Sequence, residues 1–154
     1  MELKIRIKQA VPLAILYEAD NHKIKGKTRL QKLSFLAQKR IEEEEGDISL
    51  YEFIGHNHGP FSKEVLEDLE MYERRGLVKI ERVPTFSGNH RVDYSLTSDG
   101  VDVFEDLLEA NDTAERIAEV ASGVIREYNG LSIRGLMDHV YDAYPQFKQN
   151  SVHY

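Results

Sequence analysis

The sequence predicts an α+β fold that is mainly α. Three observations carry that expectation. Apolar residues recur at helical spacing in six segments. Alternating, β-branched and aromatic segments are short and confined to the middle of the chain. The 154 residues contain no cysteine, so a single hydrophobic core must hold them without disulfides or thiolate-bound metal.

Taken in order, QAVPLAILYEAD from Gln9 to Asp20 reads as a first helix, with Pro12 tolerated if it falls in the first turn. Asn21-His22 closes it, and Lys23-Ile24-Lys25-Gly26-Lys27 reads as a polar link. TRLQKLSFLAQKRIEEEE places Leu30, Leu33, Leu36, Ala37 and Ile41 on one helical face, with Thr28 as N-cap. Four glutamates, Glu42–Glu45, oppose the macrodipole at its C-terminus, so fraying is expected among them before Gly46.

ISLYEFIG, residues 48–55, reads as a strand. After Gly59-Pro60, Ser62 is the N-cap of a helix with Val65, Leu66, Leu69 and Tyr72 inward. Arg74-Arg75 suit its C-terminus, and Gly76 supplies the left-handed residue beyond it. Residues 77–83 and 91–97 alternate as two strands of a hairpin around PTFSGNH. Thr97 or Ser98 caps a helix through Ala110, and Asn111-Asp112-Thr113 ends it. The next helix carries an amphipathic stripe at Ile117, Val120, Ala121, Val124, Ile125 and Tyr128, closed by Asn129-Gly130. A last helix from about Ser132 to Tyr144 stops at Pro145, and the tail FKQNSVHY gives no signal.

Charge is unevenly placed. Residues 1–40 hold ten basic side chains against three acidic ones, on a chain whose net charge is -7. A basic first quarter on an acidic body suggests a side that faces a polyanion, although a solvated helix face gives the same pattern. No apolar run is long enough for a membrane span, and the first residues lack a secretory cleavage site, so a cytoplasmic protein is expected.

The tripeptide His56-Asn57-His58 invites a metal reading, since His-x-His on a strand points both rings to one face. A catalytic zinc needs a third protein ligand, and His22, His90, His139 and His153 are scattered. The nuclease known by those three letters spreads them over a whole structural unit. IGHNHGPFSKE is therefore expected to be punctuation between a strand and a helix, with no metal, cofactor or catalytic residue. Gly26-Lys27-Thr28 lacks the upstream glycine of a phosphate loop, and no serine sits in a nucleophile elbow.

The order helix, helix, strand, helix, strand, hairpin loop, strand, helix is that of a winged helix-turn-helix. Residues 60–108 resemble the second half of PadR- and MarR-type regulators, through Leu-Glu with Gly-Leu-Val and through Tyr-Ser-Leu-Thr-x-x-Gly. Leu30, Gln31, Lys32, Leu33, Gly59, Pro60, Phe61 and Ser62 resemble the YwgA-like winged-helix family, and the Panacea antitoxin domain has a similar pairing. Phe61 stands where tyrosine is common in that family. The resemblance implies the fold far more than an activity.

The expected function is a non-enzymatic, dimeric winged-helix protein that binds double-stranded DNA as a transcriptional regulator. Lys25, Lys27, Arg29 and Lys32 at the second helix, Ser62 and Lys63 at the recognition helix, and Arg82, His90 and Arg91 on the wing are its expected phosphate and base contacts. Residues 1–110 would form the winged-helix domain. Residues 111–154 would form a two-helix extension that either dimerises or completes the core. Against DNA stands the helix from Ser62 to Arg75, where Glu64, Glu67, Asp68 and Glu70 lie near the outer face. The alternative is a protein-interaction or antitoxin-like module whose acidic helix meets a basic partner.

Overall fold

Ala10–Leu16 are apolar on every side, so a helix made of them has no face to give to water. In the computed structural model, which describes residues 6–46, 48 and 50–148, that helix is the centre of the molecule. Helix α1 (Ala10–Glu18) is buried along Ala10–Leu16, with Pro12 in its first turn, where no intrahelical bond is lost. It packs chiefly against α5 (Asp112–Tyr128) and also against α2 (Lys27–Glu45) and α4 (Ser98–Ala110).

Fold class is as the sequence predicts, mainly α with a small antiparallel sheet. Two details differ. Asn21 and His22 take left-handed backbone angles, φ 58° and 54°, and turn the chain so that the expected polar link becomes strand β1 (Lys23–Lys25). The signal was hidden because Ile24 is the strand's one apolar residue. Strand β1 pairs with β5 (His90–Leu96), which pairs with β4 (Val78–Pro84), in the order β1-β5-β4. Ile24, Tyr94 and Ile80 form one cross-strand row, and Lys25, Asp93 and Glu81 form the next, on the opposite face.

The second difference lies between α2 and α3 (Lys63–Arg74). Of the expected strand over 48–55, only Ile54 and Gly55 belong to one, and residues 47 and 49 lie outside the described residues. Strand β2 (Ile54–His56) pairs with β3 (Gly59–Phe61), so IGHNHGPF is a tight hairpin around Asn57-His58. Tyr51 is buried ahead of it, its N–H donating to Gln38 Oε1 at 2.9 Å and its carbonyl accepting from Gln38 Nε2.

Helix ends follow their chemistry with two corrections. Thr28 does not cap α2; Gly26, at φ 99°, stands there and offers no side chain. The glutamates do not fray it either. The helix runs to Glu45, which pairs with Arg116 of α5 at 2.5 Å, while Gly46 N–H donates to Glu42 O. Ser62, Thr97, Asn111 and Ser132 cap α3, α4, α5 and α6 (Ile133–Ala143). At the end of α3, Leu77 N–H reaches Tyr72 O and Gly76 N–H reaches Glu73 O, a Schellman closure at the expected glycine.

One buried cluster draws on α1–α6 together, so the core runs across residue 110. The stripe of α5 is covered within the chain by α1 and α2 and needs no second copy to cover it. The tail is less silent than its sequence. Phe147 is buried against Phe35, around which Phe53 and Tyr144 also pack with ring centroids 5.0–5.3 Å apart. Among the described residues no helix is long and apolar enough to cross a membrane.

Candidate nucleic-acid interface

Strand β1 delivers Lys25 to the point where Gly26 turns the chain into α2. The Gly26 N–H is held by Val92 O at 3.0 Å and Asp93 Oδ1 at 3.1 Å, which pins the start of α2 against β5. No side chain caps that start, so the positive end of a 19-residue helix is left open. Lys25, Gly26, Lys27 and Thr28 form one wall of a cavity of about 590 Å³. The β2–β3 hairpin forms the opposite wall through His56, His58, Gly59, Pro60 and Phe61. His90, Arg91 and Val92 close a third side, and Ile133 from the first turn of α6 closes the fourth.

Lys32 sits at the back. It lies one turn beyond Thr28 on the same face, and helical side chains lean toward the N-terminus, so its stem runs toward the open end of α2. Only 1% of the residue is exposed. Burial pushes its amine down to about 8, because a charge removed from water is disfavoured. Burial is the cause of that shift, and no carboxylate among the described residues is set against the amine. A Cβ on Gly59 (φ 87°) would come within 3.2 Å of Lys32 Nζ and 3.1 Å of Tyr141 Oη. The hairpin can pass this close to the lysine because that residue is glycine.

Five of the nine expected contacts therefore converge on one concavity: Lys25, Lys27, Lys32, His90 and Arg91. Their roles differ from expectation in two cases. Lys32 is too deep to meet a duplex. Arg91 is half committed, its Nε and Nη2 donating to Asp93 at 2.8 and 3.0 Å. That pair is the main reason the Asp93 carboxyl lies below its ordinary range.

The remaining four lie elsewhere. Arg29 donates to Asn129 O at 3.0 Å and Leu131 O at 2.7 Å, which makes it a brace between α2 and the α5–α6 turn. Ser62 is buried, caps α3 through Val65 N–H, and pairs its own backbone with Gln31. Lys63 is exposed at the start of α3, outside the cavity wall. Arg82 opposes Val92 while Arg91 opposes Val83, so the two wing arginines leave opposite faces of the hairpin.

The acidic helix is milder than its composition. Glu64 accepts from Lys8 at 2.6 Å, and Asp68 accepts from Tyr51 Oη at 2.6 Å. Glu67, Glu70 and Glu73 remain exposed. Sequence reasoning missed His56, His58 and Ile133 as cavity residues. The two histidines were legible only as a turn, since nothing local says that this turn faces the second helix. Among the described residues no three His, Asp or Glu side chains gather as a metal site.

The chain matches no family model and no curated protein sequence.

Proposed function

We propose that this chain is a winged-helix DNA-binding protein that acts as a transcriptional regulator and meets phosphate with the mouth of the cavity. The observation that carries the reading is convergence: Lys25, Lys27, His90 and Arg91, far apart in sequence, rim one open surface at an uncapped helix start. Phosphate oxygens are favoured at such a start by free N–H groups and by the dipole. The order of α1, β1, α2, α3, β4 and β5, with β5 between β1 and β4, supports the winged-helix assignment. The wing tip supports it too, because Phe86 is fully exposed between β4 and β5, where an apolar wedge can enter a minor groove.

The geometry gives α3 a supporting part. Its exposed Glu67, Glu70 and Glu73 would face a duplex across the major groove and repel it. The residues 46–62 between α2 and α3 also replace the short turn of an ordinary helix-turn-helix. Contact is assigned to the β1–α2 junction and the wing, which makes binding strongly salt-dependent and weakly sequence-dependent.

The test is titration of a 30-base-pair duplex at low and moderate salt. Replacing Lys25 and Lys27 together by Ala is expected to weaken binding to every sequence and to flatten the salt slope by about 2. Unchanged affinity and slope would remove the junction from the interface. Absence of binding by the unaltered protein at low salt would favour the second reading, a protein-binding module whose exposed α3 carboxylates meet a basic partner.

A further inference from the structure

We propose that the cavity behind the basic rim is a binding site for a small organic phosphate of nucleotide size, with Lys32 as its buried counter-charge. Four observations lead there. The volume, about 590 Å³, lies within the range of small-ligand sites. Its described lining contains cations, imidazoles, amides and apolar groups but no carboxylate. Lys32 is an ammonium with 1% exposure and no carboxylate set against it among the described residues. Finally, α2 begins beside it with no side-chain cap.

Each half of the ligand follows from a wall. A buried ammonium without a counter-ion is a costly arrangement, and an anion that enters the cavity removes the cost. The first turn of α2 adds N–H donors and the Thr28 hydroxyl to the same place, and Lys27 adds charge at the mouth. Arg91 contributes little net charge because Asp93 already holds it. The phosphate therefore belongs between Lys32 and the start of α2. The far wall is different in kind. Phe61 lies under the His56 ring, centroids 4.8 Å apart, beside Pro60 and Ile133. That surface suits a flat ring rather than a second charge.

The proposal goes beyond DNA binding and does not rest on it. A duplex cannot reach Lys32, so the two readings separate at that residue.

The experiment is isothermal titration of the full chain with adenosine 5′-monophosphate, with adenosine and inorganic phosphate as the two comparison probes. Adenosine monophosphate is expected to bind, adenosine not to bind detectably, and inorganic phosphate to bind more weakly. Lys32→Met keeps the stem and removes the charge. It is expected to weaken adenosine monophosphate by about ten- to a hundredfold, the range of a charged hydrogen bond. The same variant is expected to bind the duplex as the unaltered protein does.

Adenosine monophosphate that fails to bind at millimolar concentration would overturn the proposal, whatever the duplex does. So would equal binding of adenosine, binding of inorganic phosphate alone, or unchanged affinity in Lys32→Met. Should Lys32→Met not fold, Lys27→Glu at the exposed mouth decides the matter. It must weaken adenosine monophosphate, and undiminished binding would overturn the assignment.

Discussion

Gln31 and Gln38 are seven residues apart, two helical turns, and each sets both ends of its amide against one residue of the backbone opposite. Gln31 donates to Ser62 O at 2.9 Å and accepts from Ser62 N–H at 3.0 Å; Gln38 treats Tyr51 in the same way. The side chains thus clamp the segment between α2 and α3 to α2 at two points, on either side of the β2–β3 hairpin. Truncation of Gln31→Ala leaves a buried N–H and a buried C=O unpaired, which should cost about 2–4 kcal/mol. The urea midpoint would report it, with an unchanged m-value. A loss too small to resolve would mean that water replaces the amide there.

Lys32 makes a prediction of opposite sign. Its folded pKa of about 8 lies below the ordinary lysine value of 10.5. The unfolded chain therefore holds the extra proton between these values, and stability must rise with pH across that interval. Below pH 8 the full penalty is present, about 3 kcal/mol by the usual conversion. The rise is bounded above by buried Tyr51, Tyr72 and Tyr94. Burial raises their hydroxyl pKa values, so the unfolded state gains by ionising near pH 10. Denaturation at pH 7.5 and 9.5 should show stabilisation of about 2 kcal/mol in the unaltered protein and little in Lys32→Met. Equal pH dependence in both proteins would assign the rise to some other group.

At the scale of elements, legibility followed locality. Helices α3, α5 and α6 were readable because cap, stripe and stop lie within one window. Ser62, Asn111 and Ser132 do the capping that their residue types suggest. Strand β1 was unreadable because its partner, β5, is about seventy residues away, and three residues with one apolar side chain carry no period. The cavity was unreadable for the same reason. Lys25, Pro60, Arg91 and Ile133 come from four elements that only the fold brings together.

Gly100 shows what such long-range contact demands. A Cβ there would stand 2.1 Å from Leu77 O, backbone against backbone, where α4 crosses the start of β4. Gly100→Ala should cost about 3 kcal/mol, the upper range for overpacking. Gly76→Ala is the useful contrast. Its Cβ would meet nothing within 4 Å, and only its φ of 76° resists, so about 1 kcal/mol is expected. Thermal melting of the two variants should rank them in that order. A reversed ranking would mean that α4 can slide while the Schellman turn cannot.

At the scale of the molecule, the sequence suggests a cut at residue 110, and the packing suggests none. Helix α1 has no polar face, and its largest neighbour is α5, which begins beyond that point. Removing 111–154 would uncover the side of α1 that packs on α5 and the inner face of α2, including Phe35, which packs on Phe147. Each such side chain is worth about 1.5–3 kcal/mol when buried, against a total stability of about 5–15 kcal/mol for a domain. Losing several at once exceeds what remains. A chain ending at Ala110 is therefore expected not to fold, to bind a hydrophobic dye and to lose its cooperative melt. A cooperative melt in that fragment would restore the two-part division and free α5 and α6 to cover a second copy. Failure to fold would place the cavity, whose fourth side is Ile133 of α6, within one indivisible core.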